Sequence, residues 1–240
     1  MSVHAAIVYG EVGSASLYLP NIITPPEVFV QCAVYSSVRY VEYMLVQSTP
    51  DAGVLLSVGT QYTGAGRYMI APGAKGASGT SSKGGDGGAG GTESYSTSFT
   101  LPVGTYKWTV TKLKTRFEQT SGSGFTAVEL LNTGTAKATG TPYRLYGNAT
   151  YPIGTITAKT AGAAYVPGKG ASGSDLCSVR AQDTMYAASS TTYGFLEGAY
   201  GCGAGGNGGS RTGLQTTAFS GYDLSGGYGA PGAILLRIPW

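Results

Sequence analysis

Charge is the first thing this chain lacks. Asp, Glu, Lys and Arg make up 11% of its 240 residues, less than half the share of about 25% in an ordinary globular protein. The net charge of +3 is too small to bring it to a polyanion, so nucleic acid is not an expected partner. Histidine occurs once, at His4, so a Ser-His-Asp arrangement would have to be built beside the N-terminus, and none is expected. Cys32, Cys177 and Cys202 are odd in number and contain no CxxC pair. They specify neither a disulfide framework nor a zinc site. No apolar run approaches the length of a membrane span, and the opening Met1 to Glu11 lacks the basic region and cleavage pattern of a signal peptide. Synthesis in a cytoplasm without membrane insertion is therefore expected. No GxxxxGK[ST] sequence is present. Gly201 to Gly206 matches GxGxxG literally but has no strand-helix context, so neither a P-loop nor dinucleotide binding is expected. Cofactors and metals are expected to be absent.

What fills the space is glycine, tyrosine and small hydroxyl residues, with 40 Gly and 18 Tyr. So many aromatics argue against ordinary disorder. The run from Gly73 to Gly91 carries glycine at every third position, Gly73, Gly76, Gly79, Gly85, Gly88 and Gly91, with Ser82 the single exception. A period of three belongs to neither helix nor sheet. It belongs to the left-handed polyproline II conformation, which has three residues per turn and no internal hydrogen bonds, and would here present a bare backbone face. The register returns at Gly203, Gly206 and Gly209 and at Gly226, Gly229 and Gly232. Unbroken, the first run would extend roughly 60 Å at about 3.1 Å per residue, too far for a compact body of this size. The run is expected to fold back, with neighbouring rods exchanging backbone hydrogen bonds. A flexible linker needs no such register, and collagen would need a longer, proline-rich one.

Around the glycine the pattern is β. Val28 to Tyr35, Val38 to Gln47, Val54 to Val58 and Thr100 to Thr111 are rich in β-branched and aromatic residues, and Pro102-Val103-Gly104 suits a turn. Phe125 to Leu131 suits a strand or a single helical turn. Ala233 to Trp240 has the composition of a buried strand, with Trp240 as an anchor. Two echoes stand out: Thr150 to Ile156 copies the opening of the Thr100 unit, and Lys169-Gly-Ala-Ser-Gly copies Lys75-Gly-Ala-Ser-Gly. The expected fold is all-β, an antiparallel β-sandwich framework carrying polyglycine II-like segments, with essentially no helix. The expected division is an N-terminal β region over 1–63, serving as framework or attachment, and a glycine-rich β domain with aromatic loops over 64–240.

Three pieces, in this order, resemble the framework of glycine-rich domains in bacteriophage tail and fibre proteins: Val38 to Val46, Leu101 to Val110 and Gly232 to Pro239. The glycine rods also resemble those of receptor-binding tip adhesins of T-even-like phages, a pattern of stacked polyglycine II helices capped by variable aromatic loops. The lower glycine density between Gly104 and Gly198 and the N-terminal β region depart from that pattern. The resemblance implies a virion protein, not an enzyme, located in a tail or fibre and released by lysis. Its implied partners are other virion proteins, a host surface glycan or outer-membrane protein, and copies of itself.

The residues point the same way, since Tyr with Ser, Gly and Asn is the composition of paratope loops, where rings give rigid contact area and small residues let loops adapt. Loops around Gly173 to Gly198 and Gly209 to Gly226 are the candidate receptor-binding surface, with Tyr186, Tyr193, Tyr200, Arg211, Tyr222 and Tyr228 as contact residues. Tyrosines that merely cover glycine faces as core packing are the plainer reading of the same pattern. A head-fibre, decoration or tail-assembly protein is the alternative function. A glycan depolymerase would need two carboxylates at fixed separation. Asp175, Asp183, Glu197 and Asp223 supply candidates without a spacing that requires it. Asn148-Ala149-Thr150 is a sequon of consequence only in a eukaryotic secretory route.

Overall fold

The computed structural model describes residues 20–35, 37–46, 52–132, 158–176, 179–214 and 219–239. His4, Cys177, the sequon at Asn148, the Thr150 to Ile156 echo and Trp240 lie outside these residues. Twelve strands form among the described residues: β1 (Ile22–Ile23), β2 (Phe29–Tyr35), β3 (Val38–Leu45), β4 (Val54–Val58), β5 (Tyr62–Ile70), β6 (Glu93–Leu101), β7 (Gly104–Val110), β8 (Lys114–Gly122), β9 (Val128–Leu131), β10 (Thr184–Ala187), β11 (Tyr193–Leu196) and β12 (Ala233–Pro239). Among the described residues the helical content is one 3-10 turn, Thr212–Leu214.

Two antiparallel five-stranded sheets, ordered β1-β4-β7-β8-β9 and β2-β3-β12-β5-β6, make the sandwich. Strands before residue 63 are built into both sheets: β4 pairs with β7 in one, and β3 with β12 in the other. The alternation read from the sequence has its physical cause here. Tyr106, Trp108 and Val110 of β7 point between the sheets, meeting Val41, Leu45, Met69, Ile234 and Leu236 from the opposite side. Rings pack edge to face around Phe117, with centroids 5.5 Å from Tyr106 and 5.3 Å from Trp108, the arrangement their quadrupoles favour. The Tyr106 hydroxyl donates to Pro102 O at 2.7 Å, and burial pushes its phenol up to about 12. Phe125 joins this aromatic cluster, and the strand that follows it is β9.

The odd members of β12 face outward and are buried too. Leu235 packs with Met44, Tyr68 and Ile70 against Leu176, Val179, Cys202 and Ala204. The second sheet is thus covered on both faces at the end where the glycine segments leave it. Arg237 and Glu42, opposite one another in the ladder, form a buried ion pair at 2.9 Å. Gln31 donates to the second Glu42 oxygen at 2.7 Å.

Strands β5, β6 and β12 run directly into the glycine segments. Six rods result, over residues 71–80, 84–92, 158–163, 166–173, 203–210 and 224–232 (rods 1 to 6). Their backbone hydrogen bonds recur every third residue. Rod 2 donates from Gly85, Gly88 and Gly91 to Gly209, Gly206 and Gly203 of rod 5, and rod 1 donates from Gly73 and Gly76 to Ala230 and Gly227 of rod 6. Because a three-residue turn points successive N–H groups in three directions, one rod can serve several neighbours. Rod 5 bonds to rods 1, 2, 4 and 6, and residues 201–210 are buried throughout. The chain folds back between rods 1 and 2 at Thr80 to Lys83, where Thr80 N donates to Lys83 O.

Glycine is required because the rods touch backbone to backbone. A Cβ on Gly73, Gly76 or Gly79 would sit 1.8–1.9 Å from the carbonyl oxygens of Ala204, Asn207 and Ser210, and one on Gly85, Gly88 or Gly91 within 2.1 Å of Ala77, Ala74 and Ala71. Gly206, Gly226, Gly229 and Gly232 meet carbonyl oxygens at 2.0–2.3 Å, Gly209 meets Gly226 N at 2.7 Å, and Gly203 adds a positive φ of 72°. The two Lys-Gly-Ala-Ser-Gly echoes are rods 1 and 4, which flank the same central rod: Gly76 abuts Asn207 O and Gly170 abuts Gly205 O.

Asp86, on rod 2, accepts from Gly162 N at 2.9 Å and from Lys83 Nζ at 3.3 Å. The Gly162 amide, then Lys83, holds its carboxyl below the usual range. A depressed folded pKa stabilises the bond above the unfolded pKa and releases it as pH falls through the folded one. Acidification below the ordinary Asp range is therefore expected to speed Gly162 amide exchange relative to Gly168, whose acceptor is Gly85 O and does not titrate. Amide exchange followed by NMR across that range checks this.

Candidate functional site

The rods end, away from the sandwich, in four loops. Thr80 to Lys83 closes rods 1 and 2. Its Thr80 hydroxyl oxygen accepts from Lys83 N at 3.2 Å, an ST-type turn that needs no large side chain. Residues 163–166 close rods 3 and 4, with Ala163 N donating to Val166 O. The hairpin of β10 and β11 runs beside rods 5 and 6 and turns at Ser189, whose hydroxyl accepts from Thr192 N at 3.0 Å. The fourth loop leaves rod 5 at Ser210, passes through the 3-10 turn and returns at Leu224, which accepts from Ser210 N.

Two side chains tie these loops together. Arg211 donates from Nε to Ser81 O at 2.7 Å and lies 5.8 Å over the Tyr165 ring, joining three of the loops. Ser210 Oγ accepts from Ala187 N at 3.0 Å, fixing the hairpin to the end of rod 5. Ala187, Phe219 and Leu224 form a small buried cluster beneath, with Met185 and Leu214 against it. Above it opens a cleft of about 390 Å³.

Three of the six candidate contact residues share the loop end, and the other three are spread along the bundle. Tyr193 and Tyr222 stand at the loop end, 59% and 52% exposed, and stack with centroids 6.4 Å apart. Phe195, two residues along β11 on the same face as Tyr193, is also exposed. Arg211 is at the same end, partly engaged as described. Tyr186 is half-buried on the hairpin, its ring lying where a side chain at Gly194 would be. Tyr228 is half-buried midway along rod 6 with Lys75 Nζ 4.6 Å from its ring centroid. Tyr200 is exposed, but at the framework end, beside the bridge to Arg180. Sequence reasoning passed over Tyr165 and the hydroxyl residues of the cleft. The Lys169 echo signals a rod, and a rod needs a turn before it, which is where Tyr165 sits.

Two of the four candidate carboxylates converge, but on a guanidinium. Arg180 binds Asp183 at 2.8 Å and Glu197 at 2.9 Å, and the Tyr200 hydroxyl also donates to Glu197. The hydrogen bond to Tyr200, then the charge of Asp183, raises the Arg180 pKa. Asp175 is exposed, and Asp223 accepts from Ser225 N at 3.0 Å. Among the described residues no group of three or more His, Cys, Asp or Glu could hold a metal. Among the described residues no helix is long and apolar enough to cross a membrane. Cys202, at the base of rod 5, is disulfide-bonded and Cys32 is free and exposed, a link that cysteine spacing did not specify.

Asn207 is the one side chain set within the central rod that reaches across it. It is fully buried, its Oδ1 accepts from Gly170 N at 3.1 Å, and its Nδ2 donates to Leu196 O and Glu197 O at 3.1 Å each. Asn207→Ala leaves the buried Gly170 amide without its acceptor and removes a donor from the partly buried Leu196 and Glu197 carbonyls. It is expected to cost about 2 kcal/mol, read as a lowered denaturant midpoint, and to loosen the hairpin that carries Tyr193 before the rods themselves.

No protein-family model, curated protein or solved structure matches the chain.

Proposed function

We propose that this chain is a bacteriophage virion protein of the tail-fibre or tail-tip adhesin kind, made in the host cytoplasm and attaching the particle to the bacterial surface. The observation that carries the reading is the exposed Tyr193–Tyr222 stack at the end of a hydrogen-bonded rod bundle. Binding through flexible loops loses affinity to ordering entropy, and a platform fixed every third residue by backbone bonds reduces that loss. The opposite end offers the other half of an adhesin. Ile23 on β1, Val34 on β2 and Leu131 on β9 are exposed apolar residues on edge strands, the kind of surface that neighbouring subunits cover. A glycan or an outer-membrane protein on the host is the expected target, with other virion proteins and further copies of the chain at the sandwich end.

The same edge residues favour a second reading, a decoration or tail-assembly protein with no receptor. A depolymerase is disfavoured by the Asp183–Arg180–Glu197 arrangement, in which both carboxylates are ion-paired. Adsorption competition separates the first two. The purified chain, added in excess to host cells, is expected to slow adsorption of the intact phage in proportion to its own binding; an adsorption rate unchanged at saturating chain sinks the adhesin reading and leaves the assembly one.

A further inference from the structure

We propose that the cleft beside the stacked tyrosines is a subsite for an uncharged pyranose, held by stacking on Tyr222 and by paired hydroxyl contacts to Asp223. The inference rests on the reading of the loop end as the host-contact surface and assigns that surface a ligand class. The cleft volume of about 390 Å³ lies at the small end of the 300–1,000 Å³ range of ligand sites, suited to one sugar ring with ordered water.

The lining has a sugar's own division of character. Phe219 and Leu224 supply an apolar floor, and Tyr222 an exposed ring to receive the C–H face of a pyranose. Around them are the hydroxyls of Ser78, Thr212 and Ser220, each able to donate and accept. Among the described lining residues Asp223 is the one ionisable group besides the Tyr222 phenol. It accepts from Ser225 N at 3.0 Å, and the Ser225 hydrogen bonds keep it ionised. An ionised carboxylate has more acceptor sites than that bond uses, so adjacent sugar hydroxyls can donate to it together.

Charge narrows the class further. Among the described residues no Lys or Arg lines the cleft. Of the cations nearby, Lys75 sits over the Tyr228 ring and acts on Asp223 only through its charge, and Arg211 donates from Nε to Ser81 O. An acidic sugar would bring a second negative charge beside Asp223 with no cation among the described lining residues to pair with it, whereas a neutral one brings only donors. The site therefore selects neutral hexoses or N-acetylhexosamines over sialic or uronic acids.

The test titrates the whole chain, followed by amide NMR, with the methyl glycosides of glucose, galactose, mannose and N-acetylglucosamine, and with N-acetylneuraminic acid as the anionic comparator. At least one neutral glycoside is expected to shift the Thr212, Ser220 and Ser225 amides saturably, and the acidic sugar to leave them in place. Asp223→Asn is expected to weaken that glycoside roughly tenfold, the loss of a charge-assisted pair. Because Asp223 also accepts from Ser225, the exposed Thr212→Val provides a second variant, expected to weaken it a few-fold with the spectrum otherwise unchanged. Silence from every neutral glycoside overturns the inference, as do shifts indifferent to both variants or tighter binding of N-acetylneuraminic acid. Adsorption of the same preparations to host cells keeps the two claims apart. Cells bound normally by a chain that ignores all glycosides remove the sugar and leave host contact, whereas glycosides bound by a chain that ignores cells support the subsite and remove the adhesin.

Discussion

Gly88→Ala is expected to destabilise this protein by about 3 kcal/mol or more, at or beyond the upper end of ordinary overpacking, while Ala89→Ser, one residue along the same rod, is expected to be nearly silent. The difference lies in which way each residue points. A Cβ on Gly88 would lie 2.1 Å from Ala74 O, a backbone atom that cannot rotate away. Nor can Gly88 retreat: its N–H donates to Gly206 O, its own carbonyl accepts from Ala171 N, and a Cβ on Gly205 would meet that carbonyl at 2.0 Å. Four rods converge on one residue, and displacing it breaks its bonds to two of them, rods 4 and 5. Ala89 faces solvent. Adding Gly205→Ala to Gly88→Ala is expected to leave no folded protein, since the two costs together reach the total stability of a typical domain, about 5–15 kcal/mol. Denaturant unfolding of the purified variants measures this, and a Gly88→Ala midpoint equal to that of the parent would mean that the rods are not packed backbone to backbone.

The second large effect falls on binding. Tyr193→Ala combined with Tyr222→Ala is expected to reduce adsorption of the chain to host cells by roughly 100-fold or more, because exposed, preorganised aromatics act as hot spots of about 2 kcal/mol or more each. The two rings stack, so neither single variant is expected to show half the effect: loss of one leaves the other less ordered, and the terms do not add. Tyr200→Ala serves as the internal control. Tyr200 is as exposed as the other two at 55% but sits at the framework end beside Arg180, so the account predicts adsorption within about twofold of the parent. Equal losses from all three would mean that binding spreads along the side of the bundle instead of gathering at its end. Circular dichroism on each variant establishes that the fold is retained, which is expected because none of these rings belongs to the buried core.

The all-β sandwich was legible in the sequence because its signals are local. Alternation at Tyr106, Trp108 and Val110, and the apolar run at Ala233 to Pro239, each fix which face or faces are buried without reference to any distant residue. The glycine period of three was legible for the same reason. The neighbours of each rod were not, since a bare backbone face carries no side chain to identify its partner, and rods 1 and 6 meet across about 150 residues of sequence. The Lys75 and Lys169 echo was visible as a repeat, but its cause, two rods against one central rod, lies in the bundle and not in either copy. Asn207 drew no attention in a glycine run, although the buried amide is what binds the hairpin to the centre.

The candidate site was legible in composition and not in position. Tyrosine in loops was the ground for expecting a contact surface, and of the residues named for it Tyr193, Tyr222 and Arg211 lie together at the loop end. Tyr200, Tyr186 and Tyr228 carry the same local signal, yet the fold distributes them along the bundle, because where a loop residue ends up depends on which rod its segment flanks. Arg211, a candidate contact residue, also holds the loops together, its Nε donating to Ser81 O, a bond across 130 residues that no local pattern signals. Asp183 and Glu197 were two of four candidates for a carboxylate pair that no spacing required, and the bridge between Arg180 and Tyr200 brings them to one guanidinium.

The central claim is that the loop end faces the host and the sandwich faces the particle. Cryo-electron microscopy of the assembled virion tests it directly, by locating residues 187–193 and 210–224 relative to the β-sandwich. The account predicts these loops at a distal, solvent-facing tip, with the edge strands β1, β2 and β9 buried against virion neighbours. Loops packed between capsid or tail subunits, with the sandwich outermost, would contradict it.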